Sequence, residues 1–248
     1  EPMISVFTVL QPLCLIRSVL GENLDYVVEL SHTRPIFISL LHQLLMSTST
    51  ACSQLTMDTL LTFIVTKLPE LANKSDIIYD KTDKPDDVQR INFSSTILKI
   101  FKVSLGIISV HPDNEKVLRP RLCSIIHICL RLASESKYTL NYILVIRTLF
   151  RSISGGKFEH AYKEMNVVLP TLLKGFGHLL HRSKHVETQN AILELSLTIP
   201  CRLDTMLLHF PLLLEMFCRA VTAKMSASLP SLALRTLEFW TDNLKPDY

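Results

Sequence analysis

No stretch of the 248 residues approaches the roughly eighteen unbroken apolar positions that a membrane-spanning helix needs. Even Ile143-Leu144-Val145-Ile146 is closed by Arg147, which excludes such a helix. Period-two alternation is missing over any useful length, so a sheet does not organise the chain. The six cysteines, Cys14, Cys52, Cys123, Cys129, Cys201 and Cys218, contain no Cys-x-x-Cys pair and read as small core residues of a reducing compartment, cytosol or nucleus. A Gly-rich nucleotide loop and an Asp-Phe-Gly triplet are absent, and His181-Arg182-Ser183 is not the His-Arg-Asp of a kinase catalytic loop, which places kinase catalysis outside this segment. Gly155-Gly156-Lys157 has Arg151 where a phosphate loop needs glycine, Phe158 where it needs Ser or Thr, and a helical pattern instead of a strand before it. It reads as a turn. The net charge of +3 is too mild to argue for nucleic acid. The first twenty residues lack a basic n-region and contain Pro12 and Arg17, unlike a signal peptide. No initiator Met opens the chain, and neither end carries the polar outer face of a terminal repeat, so a fragment of a longer chain is expected.

What is present is a repeated helical pattern. Two, six, nine and ten residues after Pro170 stand Leu172, Phe176, Leu179 and Leu180, which form one apolar stripe at about 3.6 residues per turn. The same register places Leu213, Phe217, Ala220 and Val221 after Pro211, Leu122, Ile126, Cys129 and Leu130 after Pro120, and Phe37, Leu41, Leu44 and Leu45 after Pro35. These prolines are separated by 85, 50 and 41 residues, a period near forty with one double-length gap. A helical unit of that length predicts an all-α HEAT or armadillo-like solenoid, an α-α superhelix of about six helical hairpins. The 48% hydrophobic content agrees, because a helix between neighbouring repeats is buried on more than one side.

Taken in order, helical repeats are expected over 1–72, a charged and mobile surface insertion over 73–89, and helical repeats over 90–248, the whole forming one continuous solenoid. The insertion holds Lys74-Ser75-Asp76 and Asp80-Lys81-Thr82-Asp83-Lys84-Pro85-Asp86-Asp87, where the apolar period fails. Ser53 is expected to cap a helix running towards Leu71, and Asp113 to cap the helix that carries Pro120. Gly155 and Gly156 end the helix before them, since glycine enters the left-handed C-cap conformation without a Cβ penalty. Pro200 and Pro230 fall at helix starts, where proline is tolerated. Prolines inside helices, as at Pro170, each cost roughly 3 kcal/mol and imply a kink held by packing.

Few residues invite a chemical role. His178, His181 and His185 share a helical face and, with Glu187, imitate a metal-ligand set, but Arg182 and Lys184 add repelling charge. The cluster reads as a basic helix end complementing the negative C-terminal dipole. Joined with Lys163 and Lys174 it could contact phosphates or an acidic partner, although aromatic interleaving for base stacking is missing. His127 reads as a core-edge contact. Asp86 and Asp87 have nothing near them to raise a pKa, which argues against an acid/base pair.

Three phrases carry a family resemblance. Leu149-Phe150-Arg151-Ser152-Ile153-Ser154-Gly155-Gly156-Lys157-Phe158-Glu159, with Tyr162-Lys163-Glu164 following, resembles the TRRAP family, the transcription-associated pseudokinases related to phosphatidylinositol 3-kinase. Glu194-Leu195-Ser196-Leu197-Thr198-Ile199-Pro200-Cys201-Arg202-Leu203 resembles that family's Glu-Leu-Cys-Leu-Thr-Val-Pro-Val-Arg-Leu. Leu234-Arg235-Thr236-Leu237-Glu238 and Asp242-Asn243-Leu244-Lys245-Pro246-Asp247 resemble its Leu-Arg-Thr-Leu-Glu and Asp-Asn-Leu-x-Pro-Asp. The match is specific over about 145–248. Ser196 stands for the usual Cys, Ala233 for Gly, and Phe239-Trp240-Thr241 for a Leu-led triplet.

The resemblance implies a HEAT-repeat piece of a nuclear, non-enzymatic scaffold of histone acetyltransferase complexes, SAGA-type and related. Its expected partners are transcription activators and other complex subunits, with no cofactor, small-molecule substrate, metal, membrane or direct nucleic-acid contact. The matched residues read as structural: Gly155 and Gly156 as turn and Pro200 as helix breaker, with Phe158 part of the first phrase; Pro170 and Pro211 are marked by the helical period instead. Arg151, Arg202 and Arg235 are candidates for inter-repeat bonds to Glu159, Glu194 and Glu238, and Asp242 belongs to the third phrase. Two rivals are the helical arm of an active kinase of the same superfamily and an importin-like transport adaptor; the latter needs Asn and Trp ladders, and Trp240 is the one tryptophan. Limited proteolysis should nick the 73–89 insertion first, near Lys74, Lys81 or Lys84, and a first cut inside Tyr138–Leu180 would contradict that expectation.

Overall fold

The computed structural model describes residues 20–29, 34–47, 50–72, 93–153, 158–198, 209–223 and 228–243, which contain ten α-helices and no strand. The 73–89 insertion, Gly155, Gly156, Pro200 and Arg202 lie outside the described residues. Two units are distinguished, Glu1–Ile125 and Ile126–Tyr248.

In the first unit, α1 (Gly21–Glu29), α2 (Arg34–Ser47), α3 (Thr50–Lys67), α4 (Phe93–Gly106) and the start of α5 (Glu115–Glu135) pack in alternation. Helix α1 lies against α3, and α3 against the start of α5, while α2 lies against α4. Two layers result, with Met57, Leu60, Leu61 and Ile64 of α3 and Ile97, Ile100 and Phe101 of α4 buried between them. Ser53, expected as a cap, sits inside α3 instead, where its buried hydroxyl accepts a hydrogen bond from Asn114 Nδ2 at 2.7 Å. Asp113 likewise caps nothing through its side chain. Its carboxylate takes the Lys116 ammonium at 2.8 Å, and that neighbour holds the Asp113 pKa below its ordinary value.

The second unit continues α5 and adds α6 (Thr139–Ile153), α7 (Glu159–Arg182), α8 (Val186–Leu197), α9 (Phe210–Val221) and α10 (Ser228–Asn243). Helix α8 packs on α6 and α10, and α7 packs on α9, again placing alternate helices side by side. Helices α7, α8, α9 and α10 also pack across the two layers. At the α5–α7 contact, a Cβ added to Gly175 would meet the Leu130 methyl groups at 3.1 and 3.4 Å, so the absence of a side chain there permits the close approach.

Pro120 and Pro170 lie inside α5 and α7. Each is followed by four buried residues in the same register: Leu122, Ile126, Cys129 and Leu130 after the first, Leu172, Phe176, Leu179 and Leu180 after the second. Burial of one Leu or Phe stabilises by about 1.5–3 kcal/mol, so each stripe outweighs the roughly 3 kcal/mol its proline costs. Pro35 and Pro211 differ from the expectation. They occupy the first turns of α2 and α9, where a backbone N–H has no intrahelical acceptor and proline deletes no bond.

Helix α2 moreover belongs to the layer opposite the one that holds Pro120, so the 85-residue interval does not separate like helices. The like helix before α5 is α3, and Pro69 falls in the 3-10 segment Leu68–Ala72 after it. In α9 the buried set is Leu213, Met216 and Ala220, while Val221 is exposed and Phe217 half-buried, 6.0 Å from the Trp240 ring of α10. A helix that begins at its proline is not held to the register of one that carries the ring in mid-course. Two smaller expectations also change: Cys218 is exposed on α9, and His127 is exposed on α5.

The fully buried Phe176 and the half-buried Phe217 are therefore not equivalent. Phe176→Ala should destabilise by about 3–5 kcal/mol and Phe217→Ala by clearly less. Gly177 has open space around its Cβ direction, so Gly177→Ala should stabilise by about 0.5–1 kcal/mol, whereas Gly175→Val should destabilise. Urea denaturation with hydrogen exchange on α7 would measure all four, and equal losses at the two phenylalanines would contradict the packing.

Candidate functional site

Among the described residues, several polar side chains converge between helices. On α6, Arg147 and Arg151 stand one turn apart and face the same carboxylate on α8. Arg147 Nη1 reaches Glu194 Oε2 at 2.9 Å, and Arg151 Nη2 takes the other oxygen, Oε1. One carboxylate thus receives a charge-assisted bond on each oxygen. In the other layer, Glu215 on α9 receives Arg219 Nη2 of its own helix at 3.0 Å and faces His181 Nε2 of α7 at 3.4 Å. Arg182, also at the end of α7, donates through Nη1 to the Ser134 carbonyl of α5 at 2.5 Å.

The first unit is fastened in the same manner. Lys67 on α3 joins Asp25 of α1 at 2.5 Å and Glu70 at 2.7 Å, and these hydrogen bonds raise its pKa. Arg121 on α5 joins Asp58 Oδ1 at 2.5 Å and donates to Thr62 Oγ1 at 2.7 Å, both on α3. The Lys67–Asp25 and Arg121–Asp58 contacts each link helices of one layer, two α-helices apart in sequence.

Of the residues singled out from sequence, Arg151 and Glu194 meet. Phe158 is buried at the N-cap of α7, Glu159 opens that helix, Pro170 lies within it, and Pro211 lies in the first turn of α9. Arg235, Glu238 and Asp242 are exposed on α10, and no ion pair joins them to another described residue. Interhelical bonds of Arg147, Arg182 and Arg121 were not among the expectations. Arg147 had a legible signal, since it precedes Arg151 by four residues and so shares its helical face; the other two depend on which helices become neighbours.

Nothing among the described residues assembles a reactive centre. His178, His181 and His185 form no metal-competent group, and no cluster of three His, Cys, Asp or Glu does. Burial pushes the Cys129 thiol up and the Tyr142 phenol up to about 12, which leaves both protonated and unsuited to nucleophilic work. No described helix is long and apolar enough to cross a membrane.

The family model described as the Tra1 HEAT repeat central region matches residues 1–248. The chain belongs to the Tra1 family. It is similar to the transformation/transcription domain-associated proteins of Homo sapiens and Danio rerio, each 30% identical over the whole of this chain and over 6% of the relative. It is also similar to the SAGA complex/NuA4 acetyltransferase complex subunit TRA1 of Saccharomyces cerevisiae, 33% identical over 63% of this chain and 4% of that protein. This Tra1-family chain therefore spans about 6% of the length of the first two relatives. The match to a HEAT-repeat region agrees with the alternating helix layers and makes the segment an all-α solenoid piece.

Glu194 is the carboxylate that both α6 arginines share. With its side chain about a quarter exposed, Glu194→Ala should destabilise by about 1 kcal/mol. The loss should shrink in 1 M salt, where the Debye length falls to about 3 Å. Denaturation at two salt concentrations checks this, and a salt-independent loss would assign the effect to packing of the Glu194 stem instead.

Proposed function

We propose that this chain is a non-catalytic scaffold segment of a transcription coactivator subunit of histone acetyltransferase complexes, SAGA-type and related. It acts in the nucleus and offers its exposed faces to transcription activators and other subunits. One observation carries the non-catalytic part: the charged groups that converge, Arg147 and Arg151 with Glu194, and Arg219 and His181 with Glu215, join helix to helix. Groups used in that way hold neighbouring helices at fixed spacing. The names of the yeast relatives as SAGA/NuA4 acetyltransferase complex subunits support the coactivator part.

A scaffold also needs surface left over after it has folded. Val167 on α7, Leu214 on α9, and Leu234, Leu237 and Phe239 on α10 are exposed apolar residues of the second unit. Lys163 and Lys174 are exposed along α7. These residues are suited to contacts outside the segment.

Affinity purification of the full-length protein, followed by lysine cross-linking and mass spectrometry, tests the reading. Acetyltransferase subunits should be recovered, and Lys163 or Lys174 should cross-link to another polypeptide. Recovery of the intact protein without any acetyltransferase subunit would overturn it.

A further inference from the structure

The turn between α5 and α6 and the turn between α7 and α8 lie side by side, and a cavity of about 200 Å³ opens between them. Its rim carries Lys137 from the first turn, Arg182 from the last turn of α7, and Lys184 and His185 from the second turn. All four are exposed. Ser136, Thr139 and Ser183 also line it, and no acidic residue does. We infer that this cavity binds a phosphorylated serine or threonine side chain of a partner polypeptide.

The competing account is that the cations merely satisfy the negative ends of α5 and α7. Four of the carbonyls at those ends are already served. Leu132 O accepts the Ser136 N–H at 2.8 Å, Ala133 O the Thr139 hydroxyl at 3.1 Å, Ser134 O the Arg182 guanidinium at 2.5 Å, and Leu179 O the Ser183 N–H at 2.8 Å. Lys137 and Lys184 are not required for any of these bonds. The bond to Ser134 uses one of five guanidinium N–H donors and fixes Arg182 beside the cavity.

Size and charge select the ligand. Pockets for drug-sized molecules run to about 300–1,000 Å³, so 200 Å³ suits one headgroup. A phosphomonoester carries a charge of about −1.5 to −2 and three strong acceptor oxygens, which matches cations contributed by two neighbouring turns. A carboxylate is planar, with a single charge and two oxygens. A nucleic acid requires a groove that follows its backbone and aromatic platforms for its bases, and a single concavity provides neither. The exposed face of α7 leading away from the cavity carries His178 and Lys174, a basic surface on which the rest of a phosphopeptide can lie.

Amine-reactive footprinting of the full-length protein tests the site. The probes are a short glycine-alanine peptide with one phosphoserine, the same peptide with serine or glutamate in its place, and inorganic phosphate at equal concentration. The phosphopeptide should lower labelling of Lys137 and Lys184 by about threefold or more and leave Lys163 unchanged, as expected for localised charge-assisted contacts. Fluorescence anisotropy should show that binding is lost in the surface variant Lys137→Met/Lys184→Met, with its helical circular dichroism retained. Equal protection by inorganic phosphate would make this a small-anion site, and equal protection by the glutamate peptide an acidic-peptide surface. Protection that includes Lys163 would mark diffuse attraction. Any of these, or no protection at all, overturns the proposal.

Discussion

A helix in a repeat stack cannot bury its apolar surface by itself, and this constraint governs both units. Helix α8 shows it most fully. It packs on α6, α7, α9 and α10, and Ala191, Ile192, Leu193, Leu195 and Leu197 are all buried, around more than one face. A helix in that position has no broad solvent side, which is why the second unit reads as continuously apolar in places. The polar residues that must share this environment keep their bonds local. Ser196 is buried, yet its hydroxyl donates to the Ile192 carbonyl at 2.9 Å, so serine is accommodated in the core.

The helical architecture and the mid-helix prolines were legible because both are periodic. The stripes after Pro120 and Pro170 could be read residue by residue and are buried as read. Pro35 and Pro211 share the spacing but not the setting, since a proline in a first turn does not mark a position along a helix. Nor does spacing reveal in which layer a helix will stand. The assignment of α2 to the opposite layer from α5 emerges only from its packing on α4. Ser53 shows a related limit: a serine near a helix start has the composition of a cap, and only the approach of Asn114 from sixty-one residues away makes it an internal acceptor.

The interhelical bonds were legible in part. Arg151 and Glu194 lie in stretches that resemble related sequences, and they meet, but the second arginine, Arg147, completes the arrangement. Arg121 with Asp58 and Arg182 with Ser134 follow from tertiary neighbourhood alone. A charge on a solvated helix face and a charge fastening two helices have the same local sequence. The apolar stripes set which helices adjoin, and the polar rim then uses whatever partner that adjacency supplies.

The two layers of the second unit are fastened by different chemistry. Between α6 and α8 the link is a carboxylate gripped on both oxygens by two guanidinium groups. Between α7 and α9 it is a single carboxylate oxygen shared by an arginine of its own helix and a histidine 3.4 Å away. When such a stack flexes, the layer on the convex side is stretched and the other is compressed. Opening the α6–α8 edge separates Glu194 from two arginines, whereas opening the α7–α9 edge separates the His181 ring from Glu215 at 3.4 Å and from Arg219 at 3.2 Å. The two rims of the second unit therefore respond differently to salt and pH: the α6–α8 rim is held by arginines that stay charged, and the α7–α9 rim includes a histidine, the side-chain type whose charge ordinarily changes near neutral pH.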